Sequence, residues 1–372
     1  MSDFQLKIFK AIIKENIGKN VVVSPISIYH ILSLTTNGAA KKTLEEMLKT
    51  LCHKDLDELN KNNSSIASAI EKFKSVEFAN AVYTKVQPTE SFTKMIKQYN
   101  AKIDVLKEVE VINKWCSDAT HEKIPIIIDA LKPNDVMVLI NALYFKGVWK
   151  KSFDKNNTYE NIFMNFNKEK VSVDFMDIED KFDFYEDSNV QAISLRYKDD
   201  NMVATIILPK TEVDDFNDSV ATDTNNKSVN DDINNYIDSL TLDTYNNIIS
   251  KMRSSKVKLT LPKFEINYED ELSKSFMSLG MVEAFTDNAD FSSMIKDIHV
   301  QIARIIHKTY IKIDEEGTEA SAATAVVMTK RSIDFSTPSM MVNHPFLFII
   351  RNEKLPHGND IIFASKIEMI KK

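Results

Sequence analysis

VMVLINALYFKGVW, residues 136–149, is a run of apolar side chains that only Asn141, Lys146 and Gly147 interrupt. Several of these side chains are β-branched or aromatic, which favours a strand over a helix. A strand with one face in solvent alternates apolar and polar residues, and this run does not. The stretch therefore predicts a strand with both faces buried in the core.

Helical patterns dominate before this stretch and strand patterns dominate after it. Phe4, Ile8 and Ile12 recur every four residues, which indicates an amphipathic helix at the amino terminus, with Ser2 or Asp3 as its cap. Helices early and strands late in one chain predict an α+β fold built on large sheets. The other strand-like segments are FANAVYTK (78–85), MVATIILPK (202–210), VKLTLPKFEI (257–266), HPFLFIIR (344–351) and DIIFASKIEMI (360–370).

The composition is that of an ordinary globular protein. With 43% apolar and 27% charged residues, the chain can bury a substantial core. Its net charge of -7, with both signs interspersed, carries no electrostatic footprint for nucleic acid. No apolar run approaches the roughly 20 residues that span a membrane. We therefore expect neither a nucleic-acid partner nor a membrane partner.

The chain contains no segment that resembles an interdomain linker, although its length alone favours about two domains of roughly 150 residues. The segment 212–235 is rich in Asp, Asn, Ser and Thr, and we interpret it as an exposed, mobile loop or insertion. Charges at Asp3, Lys7 and Lys10 break up the apolar core that a signal peptide needs. We therefore expect a cytoplasmic protein, and release by a leaderless route stays an open alternative.

The common catalytic and metal-binding motifs are missing. The chain has no GxSxG, HExxH or GxGxxG motif, and its six glycines are too scattered for a phosphate-binding loop. No two of the seven histidines have the i, i+4 spacing of a helical zinc site, and Cys52 and Cys116 lack metal-ligand spacing. Cys116 follows Trp115, and a lone cysteine beside an aromatic residue is usually part of the core. We expect no enzyme, no metal site and no cofactor.

The segment EEGTEASAATAVVMTKRS, residues 315–332, stands out because its side chains are small. Alternate residues from Thr318 form one small, uncharged face, whereas Glu319 falls on the other face. No proline interrupts residues 318–337, so every amide there can join a sheet, and Gly317 supplies a flexible point at its start. By composition alone, a flexible polar linker or a frayed helix explains the segment at least as well. The residues of the small face are Thr318, Ala320, Ala322, Thr324 and Val326.

A dibasic pair, Lys330 and Arg331, ends this segment and is followed by Ser332. Trypsin-like proteases bind Arg or Lys in an acidic specificity pocket. An exposed loop with this pair is therefore a protease substrate, although dibasic pairs are also common on ordinary protein surfaces.

Five segments resemble the signature segments of the serpin family and occur in that family's order. Together they are specific, and they extend over nearly the whole chain. The resemblance implies a single α+β domain over residues 1–372, with three β-sheets, about nine helices and an exposed reactive-centre loop at about 315–340. The five segments are NVVVSPISI, VLINALYFKGVW, LTLPKFEI, HKTYIKIDEEGTEASAATAVV and NHPFLFII.

The same resemblance implies roles for individual residues. The reactive bond is Arg331–Ser332, and Met328, Thr329 and Lys330 contribute to recognition of the loop. Polar residues form the shutter, beneath the opening of the main sheet, and an aromatic residue marks the breach, where the loop enters it. The hinge that enters the sheet consists of Glu315, Glu316, Gly317, Thr318, Glu319, Ala320, Ser321, Ala322, Ala323 and Thr324. The shutter residues are Ser24, Ser27, Asn141 and His307, and the breach residue is Trp149; ordinary core packing is compatible with all five.

The resemblance also implies the mechanism of a suicide-substrate inhibitor of trypsin-like serine proteases. The protease serine attacks the carbonyl of Arg331, and the hinge then inserts into the main sheet as a new strand. The attached protease is dragged along and deformed before deacylation, and strain in the intact fold drives the change. The expected partner is the target protease, and we expect the inhibitor to be a monomer.

Two alternatives remain open at the level of sequence. The dibasic pair Lys330–Arg331 also suits papain-like cysteine proteases or dibasic-specific subtilisin-like proteases. A non-inhibitory serpin that acts as a carrier or chaperone is the other alternative. The hinge argues against it, because non-inhibitory members tend to have bulky, charged or proline residues there.

Overall fold

A computed structural model gives the fold of most of the chain. The described residues are 1–96, 99, 101–198, 201–210, 229–296, 298–318, 337–355 and 360–371.

The described residues contain nine α-helices, six of which precede residue 120. The predicted amino-terminal helix is confirmed, and Ser2 and Gln5 form a capping box at its start. The helices are α1 Asp3–Glu15, α2 Pro25–Thr36, α3 Lys41–Thr50, α4 Leu56–Ile70, α5 Glu90–Ile96, α6 Val109–Ala119, α7 Val229–Ser239, α8 Leu242–Lys251 and α9 Ser273–Ser278. None of the helices in the described ranges is long and apolar enough to cross a membrane.

Sixteen strands in the described residues make up two hydrogen-bonded sheets. The strands are β1 Val21–Val23, β2 Val76–Thr84, β3 Lys102–Val105, β4 Met137–Phe145, β5 Gly147–Val148, β6 Thr158–Met164, β7 Lys170–Glu186, β8 Val190–Arg196, β9 Met202–Pro209, β10 Arg253–Pro262, β11 Phe264–Glu271, β12 Arg304–Ile313, β13 Gly317–Thr318, β14 Ser339–Met341, β15 Phe346–Asn352 and β16 Ile361–Ile367.

The seven-stranded sheet has the order β3-β2-β4-β12-β13-β5, and β11 also pairs with β12. The nine-stranded sheet has the order β1-β16-β15-β9-β8-β7-β10-β14, and β6 also pairs with β7. Only Asp183–Glu186 of the long strand β7 pair with β8, so this sheet consists of two parts joined at that point. The resemblance implies three sheets, whereas the described strands form two, because β7 pairs with both β8 and β10 and so joins their strands into one sheet. The predicted α+β class is confirmed.

The quoted stretch 136–149 forms β4 and β5 in the seven-stranded sheet, and every residue of β4 is buried. Leu139 and Leu143 point into the main hydrophobic core, whereas Val138 and Ile140 point into a second cluster on the opposite face. Helix α6 contributes Ile112 to that second cluster. Both faces of the strand are therefore covered, as the apolar run predicts.

The predicted loop 212–235 is wrong at its carboxyl end, because α7 begins at Val229. Ile233 and Ile237, one helical turn apart, are buried beneath a surface of polar residues. Asn234 of α7 also donates to Glu368 Oε1 at 3.0 Å. Two apolar residues in a polar segment were too weak a signal, and residues 211–228 lie outside the described part of the chain.

Candidate functional site

The four shutter residues lie together in the structure. Ser24 is the N-cap of α2, Ser27 lies in its first turn, and Asn141 on β4 is directly opposite His307 on β12. All four are 0% exposed. Asn141 donates to Ser27 Oγ at 2.5 Å, and the Ser24 amide donates to His307 Nε2 at 3.2 Å. The cluster therefore connects the start of α2 to the two central strands of the sheet.

His307 has one defined tautomer in this cluster. Because Nε2 accepts from the Ser24 amide, Nδ1 carries the proton and donates to Asn141 Oδ1 at 2.5 Å. Complete burial lowers the pKa of His307 from 6.5 to about 3, since a charged imidazolium would lose its hydration. The imidazole is therefore neutral at physiological pH.

The breach residue, Trp149, is fully buried where the two sheets meet. Its indole Nε1 donates to the carbonyl of Asp314 at 3.0 Å, and its backbone amide donates to the carbonyl of Glu316 at 2.9 Å. The indole ring stacks on Tyr197, with centroids 4.4 Å apart. Trp149 thus holds the chain at the start of the hinge, in addition to packing in the core.

The first two charged residues of the hinge are both engaged. Glu315 is 5% exposed and accepts from Thr158 Oγ1 at 2.8 Å and from Lys263 Nζ at 3.1 Å. Burial raises the pKa of the Glu315 carboxyl, but hydrogen bonds from its own backbone, Thr158 and Lys263 outweigh this effect and lower the pKa overall. Glu316 pairs with Lys155 Nζ at 2.7 Å.

The next two hinge residues, Gly317 and Thr318, form the short strand β13 inside the seven-stranded sheet. Thr318 pairs with Ile313 of β12 on one side and with Gly147 of β5 on the other. The side chain of Thr318 is 0% exposed. A Cβ atom on Gly317 would lie 2.0 Å from the Gly147 carbonyl oxygen, so the two backbones approach too closely for any other residue.

The remaining predicted site residues lie outside the described ranges. They are the hinge residues Glu319, Ala320, Ser321, Ala322, Ala323 and Thr324, the recognition residues Met328, Thr329 and Lys330, and the reactive-bond residues Arg331 and Ser332.

Cys116, which follows Trp115 in the sequence, is buried in the second hydrophobic cluster. Burial raises the pKa of its thiol to about 12, so it is not available as a thiolate at physiological pH. In the part of the chain that is described, no three His, Cys, Asp or Glu side chains converge in a way that could hold a metal ion.

Sequence reasoning missed three residues of this region. Asn80 on β2 accepts hydrogen bonds from Asn141 Nδ2 and from Ser27 Oγ, so it is a fifth member of the shutter cluster. The sequence could have indicated this role, because the side-chain amide of Asn80 lies between two alanines of a predicted strand and needs a hydrogen-bond partner if it is buried. Tyr197 and Lys263 carried no comparable signal, since their partners lie far away in sequence.

Comparison with known proteins agrees with this architecture. A family model described as Serpin (serine protease inhibitor) matches residues 1–368. Serpin B8 of Homo sapiens is 31% identical over 386 residues, which cover 98% of this chain and 96% of the relative. Intracellular coagulation inhibitor 2 of Tachypleus tridentatus is 29% identical over 359 residues, which cover 91% of this chain and 84% of the relative.

A solved structure gives the same result. The thermophilic serpin tengpin in its native state has a TM-score of 0.84 to this structure and 28% sequence identity, over 99% of this chain and 92% of that one. With a family model that spans nearly all of its length, the chain belongs to the serpin family.

Proposed function

We propose that this protein inhibits trypsin-like serine endopeptidases as a suicide substrate that is cleaved between Arg331 and Ser332. Membership of a family described as serine protease inhibitors supports inhibition in general. The Tachypleus relative is named as an intracellular coagulation inhibitor, which supports both inhibition and an intracellular location. The basic residue Arg331 supports the trypsin-like class, because that class binds Arg in an acidic pocket.

The observation that carries the proposal is the position of β13. Strand β4 pairs with β12 as far as Tyr144 and then separates from it. Beyond that point, Gly317–Thr318 lie between β5 and β12 and pair with both strands. The hinge thus starts inside the sheet, between the two strands that an inserting loop would have to part.

The pairing register indicates where an inserted hinge would reach. Each further hinge residue would pair with one residue earlier on both neighbouring strands, because β13 is antiparallel to β5 and to β12. In this register Thr324, the last hinge residue, lies opposite both Asn141 and His307. Insertion of the full hinge would therefore break the hydrogen bond between these two shutter residues.

The shutter and β13 have opposite effects on the sheet. In the uncleaved protein the Asn141–His307 bond keeps β4 and β12 together, whereas β13 keeps β12 and β5 apart at the end of the sheet where the loop would enter. After cleavage at Arg331, the freed loop can add ladder hydrogen bonds on both sides, and this gain replaces the broken shutter contacts. The small side chains of the hinge match this requirement for rapid entry.

Incubation with trypsin tests the proposal. A complex that survives denaturing electrophoresis, together with release of the peptide 332–372 detected by mass spectrometry, is the expected result. Cleavage at Arg331 without a complex would contradict inhibition of trypsin. Subtilisin-like and papain-like proteases, tested in parallel, would then separate a different target class from a non-inhibitory serpin.

Charge reversal at the scissile residue gives the matched test. Arg331→Glu removes the side chain that the acidic pocket binds, so trypsin inhibition should be lost. Lys330→Ala changes the adjacent basic residue and should leave the complex with trypsin intact. If Arg331→Glu still inhibits trypsin, the assignment of the reactive bond is wrong.

A further inference from the structure

Tyr197 lies one residue beyond β8, at the junction of the two sheets. It forms an isolated antiparallel bridge with Trp149, and their rings stack with an interplanar angle of 19°. The ring of Phe145 contacts Tyr197 edge-on, with centroids 5.0 Å apart. The rings of Trp149 and Phe145 thus hold Tyr197 in a fixed position against the seven-stranded sheet.

Gly147 allows the ring of Tyr197 to lie this close to β5. A Cβ atom at position 147 would lie 2.6 Å from Tyr197 Cδ1, closer than real contacts permit. The glycine of KGVW, at the end of the segment 136–149, therefore allows an aromatic ring to approach the strand that β13 joins.

The hydroxyl of Tyr197 reaches Thr318, a buried residue of the hinge. It lies 2.7 Å from Thr318 Oγ1, and this is its one hydrogen bond to the described residues. Burial raises the pKa of the Tyr197 hydroxyl, so it keeps its proton at physiological pH. Both side chains are almost completely removed from water, with Tyr197 4% and Thr318 0% exposed.

We infer that Tyr197 is a positioning residue for loop insertion, whose hydroxyl pairs with Thr318 and holds this part of the hinge in the sheet. This inference rests on the proposed function and deepens it. Insertion competes with deacylation of the protease, so an insertion that starts from residues already paired avoids the entropic cost of bringing the hinge to the sheet. The hydroxyl pair stabilises that starting point.

Removal of either hydroxyl of the Tyr197–Thr318 pair should destabilise the paired position of the hinge. In Tyr197→Phe the ring stack stays intact, but Thr318 Oγ1 becomes a buried polar atom without its partner, whereas outside the sheet water would satisfy it. The hinge then favours the withdrawn position. Thr318→Val leaves the Tyr197 hydroxyl unsatisfied in the same way, and the double variant Tyr197→Phe/Thr318→Val leaves neither.

Two measurements on the full chain test the inference. The first is the stoichiometry of inhibition of trypsin, which counts inhibitor molecules consumed for each protease trapped. We expect each single variant to raise this number about fivefold or more, and the double variant to return close to wild type. Tyr245→Phe is the control, because the Tyr245 hydroxyl is equally buried and makes no hydrogen bond within the described residues.

The second measurement does not depend on protease inhibition. Hydrogen–deuterium exchange of peptides that contain residues 313–318 should be faster in both single variants than in wild type, and slow again in the double variant. Unchanged exchange and unchanged stoichiometry in Tyr197→Phe would overturn the inference. Faster exchange without a change in stoichiometry would overturn the positioning role, even though the bond exists.

The two measurements also separate this inference from the proposed function. If the wild-type protein traps no trypsin-like protease, the proposed function fails, and the exchange data alone decide whether Tyr197 holds Thr318 in the sheet. If the wild-type protein traps the protease but neither single variant changes the stoichiometry, the proposed function stands and the positioning role of Tyr197 is wrong.

Discussion

His307 shows how a single buried side chain ties the pH dependence of stability to the shutter. Its neutral ring accepts from the Ser24 amide and donates to Asn141, so protonation would remove the acceptor that Ser24 needs. The pKa is 6.5 in the unfolded chain and about 3 in the fold. Between these values the unfolded state binds more protons, and stability therefore falls as the pH is lowered through this window.

We predict that the free energy of unfolding falls by up to about 1.4 kcal/mol per pH unit from His307 between pH 6.5 and 3. Denaturant unfolding at several pH values measures this slope. His307→Gln should lower stability at pH 7 and reduce the slope. The slope should not vanish, because burial also lowers the pKa of His30. An identical slope in His307→Gln would contradict the neutral assignment.

At the residue scale, some members of the site could be named from the sequence and others could not. The family resemblance groups Ser24, Ser27, Asn141 and His307 as the shutter. The structure places all four in one buried cluster of hydrogen bonds, where each polar side chain or cap finds a partner. Tyr197 was not expected, because nothing in its own neighbourhood of the chain indicates contact with Thr318.

At the scale of elements, β13 has only two residues, yet it joins the long strand β12 to the equally short strand β5. It pairs with β12 and with β5, and the Asp314 carboxylate accepts from the amides of Glu316 and Gly317 in the turn before it. The contact with β5 depends on Gly317, whose backbone approaches the Gly147 carbonyl oxygen so closely that a Cβ atom would not fit. The strand is thus stabilised by backbone geometry rather than by side-chain burial alone.

We predict that Gly317→Ala expels β13 from the sheet, because the new Cβ would lie 2.0 Å from the Gly147 carbonyl oxygen. The variant should show faster deuterium exchange at residues 313–318 and act more as a protease substrate than as an inhibitor. Lys155→Ala, which removes the exposed partner of Glu316, is the control and should leave both properties unchanged. Wild-type exchange in Gly317→Ala would show that the sheet can admit the extra methyl group.

At the scale of the whole molecule, the seven-stranded sheet is closed at its centre and open at one end. The parallel pairing of β4 with β12 runs from Val138 to Tyr144, and the hinge enters beyond that point. Both faces of the sheet are covered, one by the main core and the other by the cluster around α6. An added central strand would therefore extend an existing core, with its small face buried.

We predict that cleavage at Arg331 raises the unfolding temperature well above that of the intact protein, because the freed hinge adds a strand between β4 and β12. Thermal unfolding before and after limited proteolysis measures the change. Thr318→Arg should be cleaved normally but show a smaller rise and no trapped protease, since a charged side chain cannot occupy the 0% exposed position of Thr318. An equal rise in Thr318→Arg would contradict insertion through β13.

Local patterns in the chain were sufficient for the fold class and for many elements. The apolar run at 136–149 predicted a strand buried on both faces, and the four-residue spacing of Phe4, Ile8 and Ile12 predicted α1, because each pattern reflects the geometry of its own element. Helix α7, which begins at Val229, was not predicted, because its sequence is mostly polar. Only the tertiary structure shows that Ile233 and Ile237 are buried on one side of this helix.

The arrangement of the hinge could not come from local patterns. By composition, Gly317–Thr318 fits a linker as well as a strand, and only the tertiary structure places it between β5 and β12. The same holds for Tyr197 with Thr318 and for Lys263 with Glu315, which are 121 and 52 residues apart in the chain. Periodicity reports which face of an element is buried, whereas the partner across the interface is decided by packing of distant segments, and the function proposed here depends on those partners.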